Sequence, residues 1–526
     1  MNLAARVLLE ALRFDREPED EVRRRAERAL AAGAGGFVLF GGEAERVARR
    51  VEEWRGAVRH RLWIAADLER GPGQQFTGLP ELPPPAGLAA HPDPEGAARE
   101  AGRLTGRGAR RVGVDLVLAP VLDLDVEARN PIVGTRSFGA DPRLVGRLGR
   151  AWIEGCQAEG VAACAKHFPG HGRTTRDSHD VLPRVTAGRG ELEEDLAPFR
   201  AVAPHVAAVM AAHVAFPALG SERPATLEPE ILAGLLREGL GFEGLVLTDA
   251  LNMGGFAAAA AGGEAAEANG TAAALLAGCD LLLYPSDFAA AAAALDRAAL
   301  ASPRVGDRVE EALRRGRDTV RRFRLAGRPE GVDRDAAPGA PGARDTAAAA
   351  ALARDCIRAP DALPAGLGPD RPVRVRAVWD DRPDPGRAPF GAAFAAALAA
   401  RGWAVEEGPP EGGAPWICLV AATPQAWKGT AGLTEAGRAA VAAAGAAAGR
   451  FPVVFGHPRV LAGLSSRGAG LCAWSAETAM ERAAALRLDE LARAGQAARP
   501  AAGPAAGPEP GGEAGRDSGP TPEGGR

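Results

Sequence analysis

The chain has little of what would mark it as secreted, membrane-bound or nucleic-acid-binding. Its six cysteines (Cys156, Cys164, Cys279, Cys356, Cys418, Cys472) are scattered with no CxxC pair. That suits reduced thiols in a cytoplasm better than a disulfide framework. Lysine and arginine (63) nearly balance aspartate and glutamate (67), for a net charge of -4, so there is no electrostatic reason to expect nucleic acid. No uninterrupted apolar run has membrane-span character, since the alanine-rich stretches are broken by glycine or charge. The N-terminus, MNLAARVLLEALRFDREPEDEVRRR, reads as an amphipathic charged helix, without the apolar centre and cleavage site of a signal peptide. A cytoplasmic protein with no membrane partner is the expectation. No GxGxxG opens a helix after the first strand, which weakens a dinucleotide-binding reading, and there is no HExxH and no repeat of 20–50 residues.

What is present is a rhythm of short apolar runs alternating with helical patterns from residue 36 to about 325. Strands are predicted at Gly36–Phe40, Leu62–Asp67, Val114–Pro120, Val161–His167, Val206–Val214, Leu245–Asp249 and Asp280–Tyr284. Helices are predicted between them, among them Glu43–Val58, Pro94–Gly108 and Pro142–Glu159. Seven units, with room for an eighth irregular one near the N-terminus, argue for a parallel α/β domain. A (β/α)8 TIM-like barrel is favoured over an open sheet because the units run through the ~250 residues typical of barrels. A Pro/Gly-rich stretch, 326–345, reads as a linker. Beyond it, a smaller α/β sandwich is predicted over 346–490, with strands Val373–Trp379, Trp416–Ala421, Pro452–Gly456 and Gly470–Trp474. Residues 491–526 lack core-forming side chains and read as a disordered tail. The catalytic domain is thus expected within 1–325.

Chemistry concentrates in VAACAKHFPGHGRTTRDSHDVLP, Val161 to Pro183, where three of the eight histidines lie in a long Gly- and Pro-punctuated loop. A loop of this length in a compact domain is usually functional. Polar groups also close other predicted strands: Asp67, Asp123, Lys166 with His167, His213 and Asp249. Barrel enzymes build their sites at those strand ends. Alone, Asp249 would be an ordinary helix N-cap; beside the histidine loop, a rigidly held nucleophile is the better reading. Asp177 and His179, two apart, can meet in an extended segment, and the carboxylate would fix the imidazole's tautomer for acid/base work. D-x-H alone would more commonly be a solvated turn, and Ser178 would point away. His167, His171, Asp177 and His179 are possible metal ligands, but Phe168-Pro169-Gly170 breaks the helix that His-x3-His spacing would need. No metal is expected. Lys166 could be a phosphate contact or a snorkelling strand-end lysine.

KHFPGHGRTTRDSH (166–179) resembles the signature of the β-N-acetylhexosaminidase branch of glycoside hydrolase family 3. The resemblance extends to GTRSFGADP (134–142), VMAAHVAFPAL (209–219), PATL (224–227) and GFEGLVLTDALNMG (241–254), in order, over about residues 20 to 325. It implies a retaining exo-β-N-acetylhexosaminidase that releases terminal β-linked N-acetylglucosamine through a covalent glycosyl-aspartate. In that scheme Asp249 matches the nucleophile and His179, assisted by Asp177, the acid/base. Asp67, Arg136, Lys166 and His167 match positions that hold the terminal sugar. Most retaining glycosidases use two carboxyl groups ~5–5.5 Å apart; this branch substitutes the His–Asp dyad for one of them. Small soluble glycosides, peptidoglycan-derived muropeptides first among them, are the implied substrates, with no cofactor. Two departures bear on the neighbouring-sugar preference. The family often reads DQEGGRVQR where this chain has DLERGPGQQ (67–75), so Gln75 stands at a frequent substrate-contacting arginine position and Pro72 alters the loop. Ala250 follows Asp249 where a second acid is common. The alternatives are a phosphorylase using the same dyad, a β-glucosidase or β-xylosidase of the same fold, and a non-catalytic sugar-binding protein. The DSH loop argues against the second, and the presence of all three catalytic candidates against the third.

Overall fold

A computed structural model describes residues 3–176, 182–254, 256, 264–325, 342–380, 389–408, 415–422, 432–443, 450–464 and 470–497. Eight parallel strands close a barrel in chain order: β1 (Leu8–Arg13), β2 (Gly36–Phe40), β3 (Trp63–Ala66), β4 (Leu116–Val117), β5 (Ala162–Phe168), β6 (Ala208–Ala211), β7 (Leu245–Ala250) and β8 (Leu281–Leu283). β8 pairs with β1 through Leu282–Leu8 and Leu283–Leu9. The strands are apolar on both faces because both faces are covered. Leu9, Val38, Ala65, Cys164, Met210 and Leu247 fill the barrel interior. Their neighbours Leu8, Phe37, Ile64, Ala163, Val209 and Val246 pack outward against the helices.

The predicted α/β barrel is therefore present, but its first strand lies where a helix was expected. Leu8–Arg13 forms β1, and the amphipathic helix is confined to Glu19–Ala31, behind Pro18. Leu, Ala and Glu favour helices in isolation, yet Leu8, Leu9, Ala11 and Leu12 are all wholly buried, four in a near-continuous run. Closing the gap between β2 and β8 overrides that local preference.

The helices flanking β4 and β5 start where local chemistry says they should. Asp93 Oδ1 accepts from Gly96 N (3.1 Å) and Asp141 Oδ1 from Arg143 N (2.9 Å), each followed by a proline at the first helical position. The two helices, Pro94–Val112 and Pro142–Ala158, lie unusually close. A Cβ on Gly102 would fall 2.0 Å from the Trp152 carbonyl oxygen, and one on Gly155 the same distance from that of Arg99. This packing fixes the two strands whose ends carry much of the site.

The second sheet is wholly parallel, in the order β10-β9-β11-β12-β13, with β9 Val373–Trp379, β10 Val405–Glu407, β11 Trp416–Ala422, β12 Arg450–Gly456 and β13 Leu471–Cys472. Helices Ala392–Ala399 and Thr478–Ala497 cover one face through Phe394, Leu398, Met480 and Leu488. Val441 and Val460, from helices Glu435–Ala443 and Pro458–Leu464, cover the other. The four predicted strands are present; the edge strand β10 was not anticipated.

Residues that follow the strands of this sheet reach the carboxyl end of the barrel. Arg459 makes a two-pronged contact with Asp125 (Nη1–Oδ1 2.9 Å, Nη2–Oδ2 2.7 Å), and His457 Nε2 lies 3.0 Å from the same carboxylate. Arg70 and Glu477 form a second bridge at 2.7 Å.

Candidate active site

The side chains that face the barrel interior alternate along each strand, and where the strands end that row turns polar. Asp67 continues the Trp63–Ala65 row and Lys166 the Ala162–Cys164 row; Asp249 continues Leu245–Leu247. All three consequently emerge at the carboxyl-end mouth.

Lys166 lies between two carboxylates, with Nζ 2.6 Å from Asp67 Oδ1 and 2.7 Å from Glu69 Oε1. Arg136 grips Glu69 side-on (Nε–Oε2 2.8 Å, Nη2–Oε1 2.7 Å) and donates its third nitrogen to the Ile132 carbonyl at 3.0 Å. Burial would push the Glu69 carboxyl up, but Arg136 and Lys166 outweigh it and hold Glu69 well below the ordinary carboxylate range. Burial likewise works against the charge on Lys166, and Asp67 with Glu69 overcomes it, so its ammonium is held more firmly than usual. Two cations and two anions thus form a neutral, short-contact cluster whose Asp67 end remains partly open, at 30% exposure.

His167 is organised by a separate acid. Asp123, fully buried, takes His167 Nδ1 at 2.6 Å, His167 N at 3.2 Å and His171 N at 2.7 Å. Facing a carboxylate, Nδ1 is the donor, which leaves Nε2 as the ring's other functional position. Burial raises Asp123, but the His167 charge and hydrogen bond reverse the sign, and its carboxyl sits below the usual value. His171 packs behind it, with Nδ1 2.7 Å from Thr174 Oγ1. Burial lowers the His171 ring to about 4, against the opposing pull of Asp123, so it is neutral near pH 7.

Asp249 sits at the end of β7, with Oδ1 accepting from Ala250 N at 2.8 Å. His213 buttresses it: Nδ1 contacts Thr226 Oγ1 (2.8 Å) and Nε2 the Ala250 carbonyl (3.2 Å). Burial lowers the His213 ring despite the Asp249 charge. Gln75, at the position of a departure from the family pattern, accepts from Gly41 N (3.0 Å) and so fastens the loop after β2.

Asp67, Arg136, Lys166, His167 and Asp249 are all placed at or beside the mouth by the structure. The predicted dyad, Asp177 and His179, lies outside the described residues, as does Ser178. Two groups were not singled out from the sequence as site residues. Glu69 follows Asp67 by two positions, a spacing that could have flagged it. Asp123 was visible as a strand-end acid, but nothing in its neighbours betrays that it holds His167.

The Glycosyl hydrolase family 3 N terminal domain profile matches residues 20–315. The chain is similar to a β-hexosaminidase of Pseudomonas aeruginosa, 38% identical over 265 residues, covering 50% of this chain and 78% of that protein. It resembles one of Thiobacillus denitrificans at 40% over 275 residues, covering 50% and 74%. Among solved structures, a family 3 β-N-acetylglucosaminidase from Paenibacillus sp. superposes with a TM-score of 0.78 at 26% identity, covering 93% of this chain and 96% of that one. A β-glucoside phosphorylase, BglX, gives 0.80 at 21% identity, covering 93% and 91%, a likeness of fold.

Proposed function

The chain belongs to glycosyl hydrolase family 3 and is a glycosidase, and from that premise we propose that it is a retaining exo-β-N-acetylhexosaminidase acting on small β-N-acetylglucosaminides. The observation that carries this reading is the juxtaposition at one barrel mouth of the Asp67–Lys166–Glu69–Arg136 cluster, the Asp123-held His167 and Asp249. The first group presents fixed donors and acceptors for the hydroxyls of a terminal sugar, and a planar guanidinium suits adjacent oxygens.

In the proposed reaction Asp249 attacks the anomeric carbon from one face of the ring while His179 protonates the departing glycosidic oxygen. The Asp249–carbon bond forms as the carbon–oxygen bond breaks, and the aglycone leaves as an alcohol. His179, now neutral, takes a proton from water, which displaces Asp249 and regenerates the enzyme. Asp177 would orient the imidazole and stabilise its protonated form. Ala250 N–H orients the Asp249 carboxylate, and His213 supports the turn behind it. No step calls for a metal or an organic cofactor.

Muropeptide fragments in a cytoplasm are the natural substrates we assign by family likeness. We also propose that residues 1–325 are the catalytic domain, 326–345 a linker, 346–490 the second domain and 491–526 a tail. The activity test is turnover of p-nitrophenyl β-N-acetylglucosaminide with and without phosphate. Free N-acetylglucosamine in both buffers supports hydrolysis, whereas N-acetylglucosamine 1-phosphate in the phosphate buffer would replace it with phosphorolysis.

A further inference from the structure

The mouth of the barrel carries a second group of side chains, on the arc opposite β3–β5, which none of the steps above uses. Arg13 lies four residues beyond Leu9 on β1 and Phe40 two beyond Val38 on β2, so both continue interior-facing rows, as Asp67, Lys166 and Asp249 do. Tyr284, the chain's one tyrosine, directly follows β8. The Arg13 guanidinium lies 4.5 Å from the Phe40 ring centroid, and the Phe40 and Tyr284 rings are 5.9 Å apart at 45°. Arg13 also reaches Asp15 Oδ2 at 3.2 Å. Both rings are half-buried on top of the barrel-interior cluster.

Two features distinguish this patch from ordinary capping of a core. Tyr284 has φ +53°, a left-handed conformation that non-glycine residues rarely adopt. It is held there by both neighbours: its N–H donates to the Leu9 carbonyl (2.9 Å) and its own carbonyl accepts from Asn252 N (3.2 Å), three residues past Asp249. Strain maintained beside a reacting group is the signature of a functional position. Second, the charge of Arg13 is offset by Asp15, so the patch offers directed donors more than net positive charge.

We propose that Arg13, Phe40 and Tyr284 form the wall of an aglycone subsite that takes a second pyranose ring. This rests on the hexosaminidase reading, in which the β3–β5 arc holds the terminal ring and Asp249 stands between the two arcs. The apolar face of the second sugar lies on Phe40 and Tyr284, and Arg13 donates to its ring oxygens or substituents. Binding energy gathered there, away from the bond that breaks, favours disaccharides over substrates with a minimal leaving group.

The test compares N,N′-diacetylchitobiose with β-N-acetylglucosaminyl fluoride, whose leaving group is too small to reach the wall. For the wild type, Arg13→Ala, Tyr284→Val and Tyr284→Phe, the readout is the ratio of kcat/KM for disaccharide to that for fluoride. The ratio is expected to fall at least tenfold in Arg13→Ala and Tyr284→Val, and to stay closer to wild type in Tyr284→Phe, which keeps the ring. Melting curves identify any variant that has lost its fold, and Phe40→Leu then replaces it in the comparison. An unchanged ratio in folded variants overturns the subsite while leaving the hexosaminidase reading intact. A wild-type enzyme that turns over neither substrate overturns that reading, and the subsite with it.

Discussion

Replacing Glu69 by Gln removes one negative charge from a cluster that holds two positive ones. Glu69 receives Arg136 at 2.8 and 2.7 Å and Lys166 at 2.7 Å, and it is itself 6% exposed. In the variant Asp67 alone remains to balance two cations. Removing one partner of a buried ion pair costs ~3–5 kcal/mol, because the survivor cannot be resolvated in place. Gln keeps an acceptor oxygen for one guanidinium N–H, so the lower end, ~3 kcal/mol, is the expectation. At ~2 °C per kcal/mol for a large domain, that is a fall of ~6 °C in Tm at pH 7. The loss should depend on pH with a definite sign. The Glu69 carboxyl is depressed in the folded protein, so its contribution is complete above the ordinary carboxylate range and disappears as pH falls through the folded value. The gap between wild type and variant should therefore narrow on acidification. KM for the N-acetylglucosaminide should rise as the Lys166 and Arg136 donors lose their fixed positions. Scanning calorimetry at several pH values with parallel kinetics provides both readouts. A Tm within 1 °C of wild type at pH 7, or a gap that widens towards acid, would refute the reasoning.

Other perturbations separate the roles of the surrounding groups. Arg459→Ala should lower kcat/KM severalfold with partial recovery in Arg459→Lys, because Arg459 grips Asp125, two residues from the acid that holds His167; equal rates in a folded Ala variant would show that the second domain does not steady this loop. Asp280→Asn, at the amino end of β8, should destabilise by ~3–5 kcal/mol, since Asp280 is wholly buried and takes Arg237 and Arg308 at 2.7 Å each. Its kcat/KM should stay within about twofold, as befits the barrel's stability end; a large kinetic loss would contradict that assignment. Glu10→Gln should stabilise the protein at pH 8 and be nearly neutral at pH 4. Burial lifts the Glu10 carboxyl from its usual 4.5 to about 7, so ionising it above that range costs up to roughly 3 kcal/mol. A melting profile in which the variant gains nothing at pH 8 would exclude that penalty.

The barrel is legible in the sequence because its strands are buried on both faces, and runs such as GLVLTD and GFVLF advertise this without help from tertiary context. β1 is not, because LLEALR suits a helix locally and becomes a strand only through closure with β2 and β8. β10 is hidden for a different reason: VEE is an edge strand with two exposed residues of three, and carries no hydrophobic pattern. In the site, the side chains that lie in long signatures could be singled out, namely Lys166, His167, Arg136 and Asp249. Their partners could not, since the contacts Glu69–Arg136 and Asp123–His167 join residues 67 and 44 positions apart. Arg459 reaching Asp125 spans 334 positions and leaves no local trace at all.

The central claim is a covalent sugar on one named aspartate, and it can be read by mass. Incubation with a 5-fluoro N-acetylglucosaminyl fluoride, which slows release of the intermediate, should add one N-acetyl-fluorohexosaminyl group to the intact protein. After peptic digestion that mass should lie on the peptide containing Asp249 and be absent from Asp249→Asn. A label on any other carboxylate, or full turnover of the ordinary substrate by Asp249→Asn, would contradict the account.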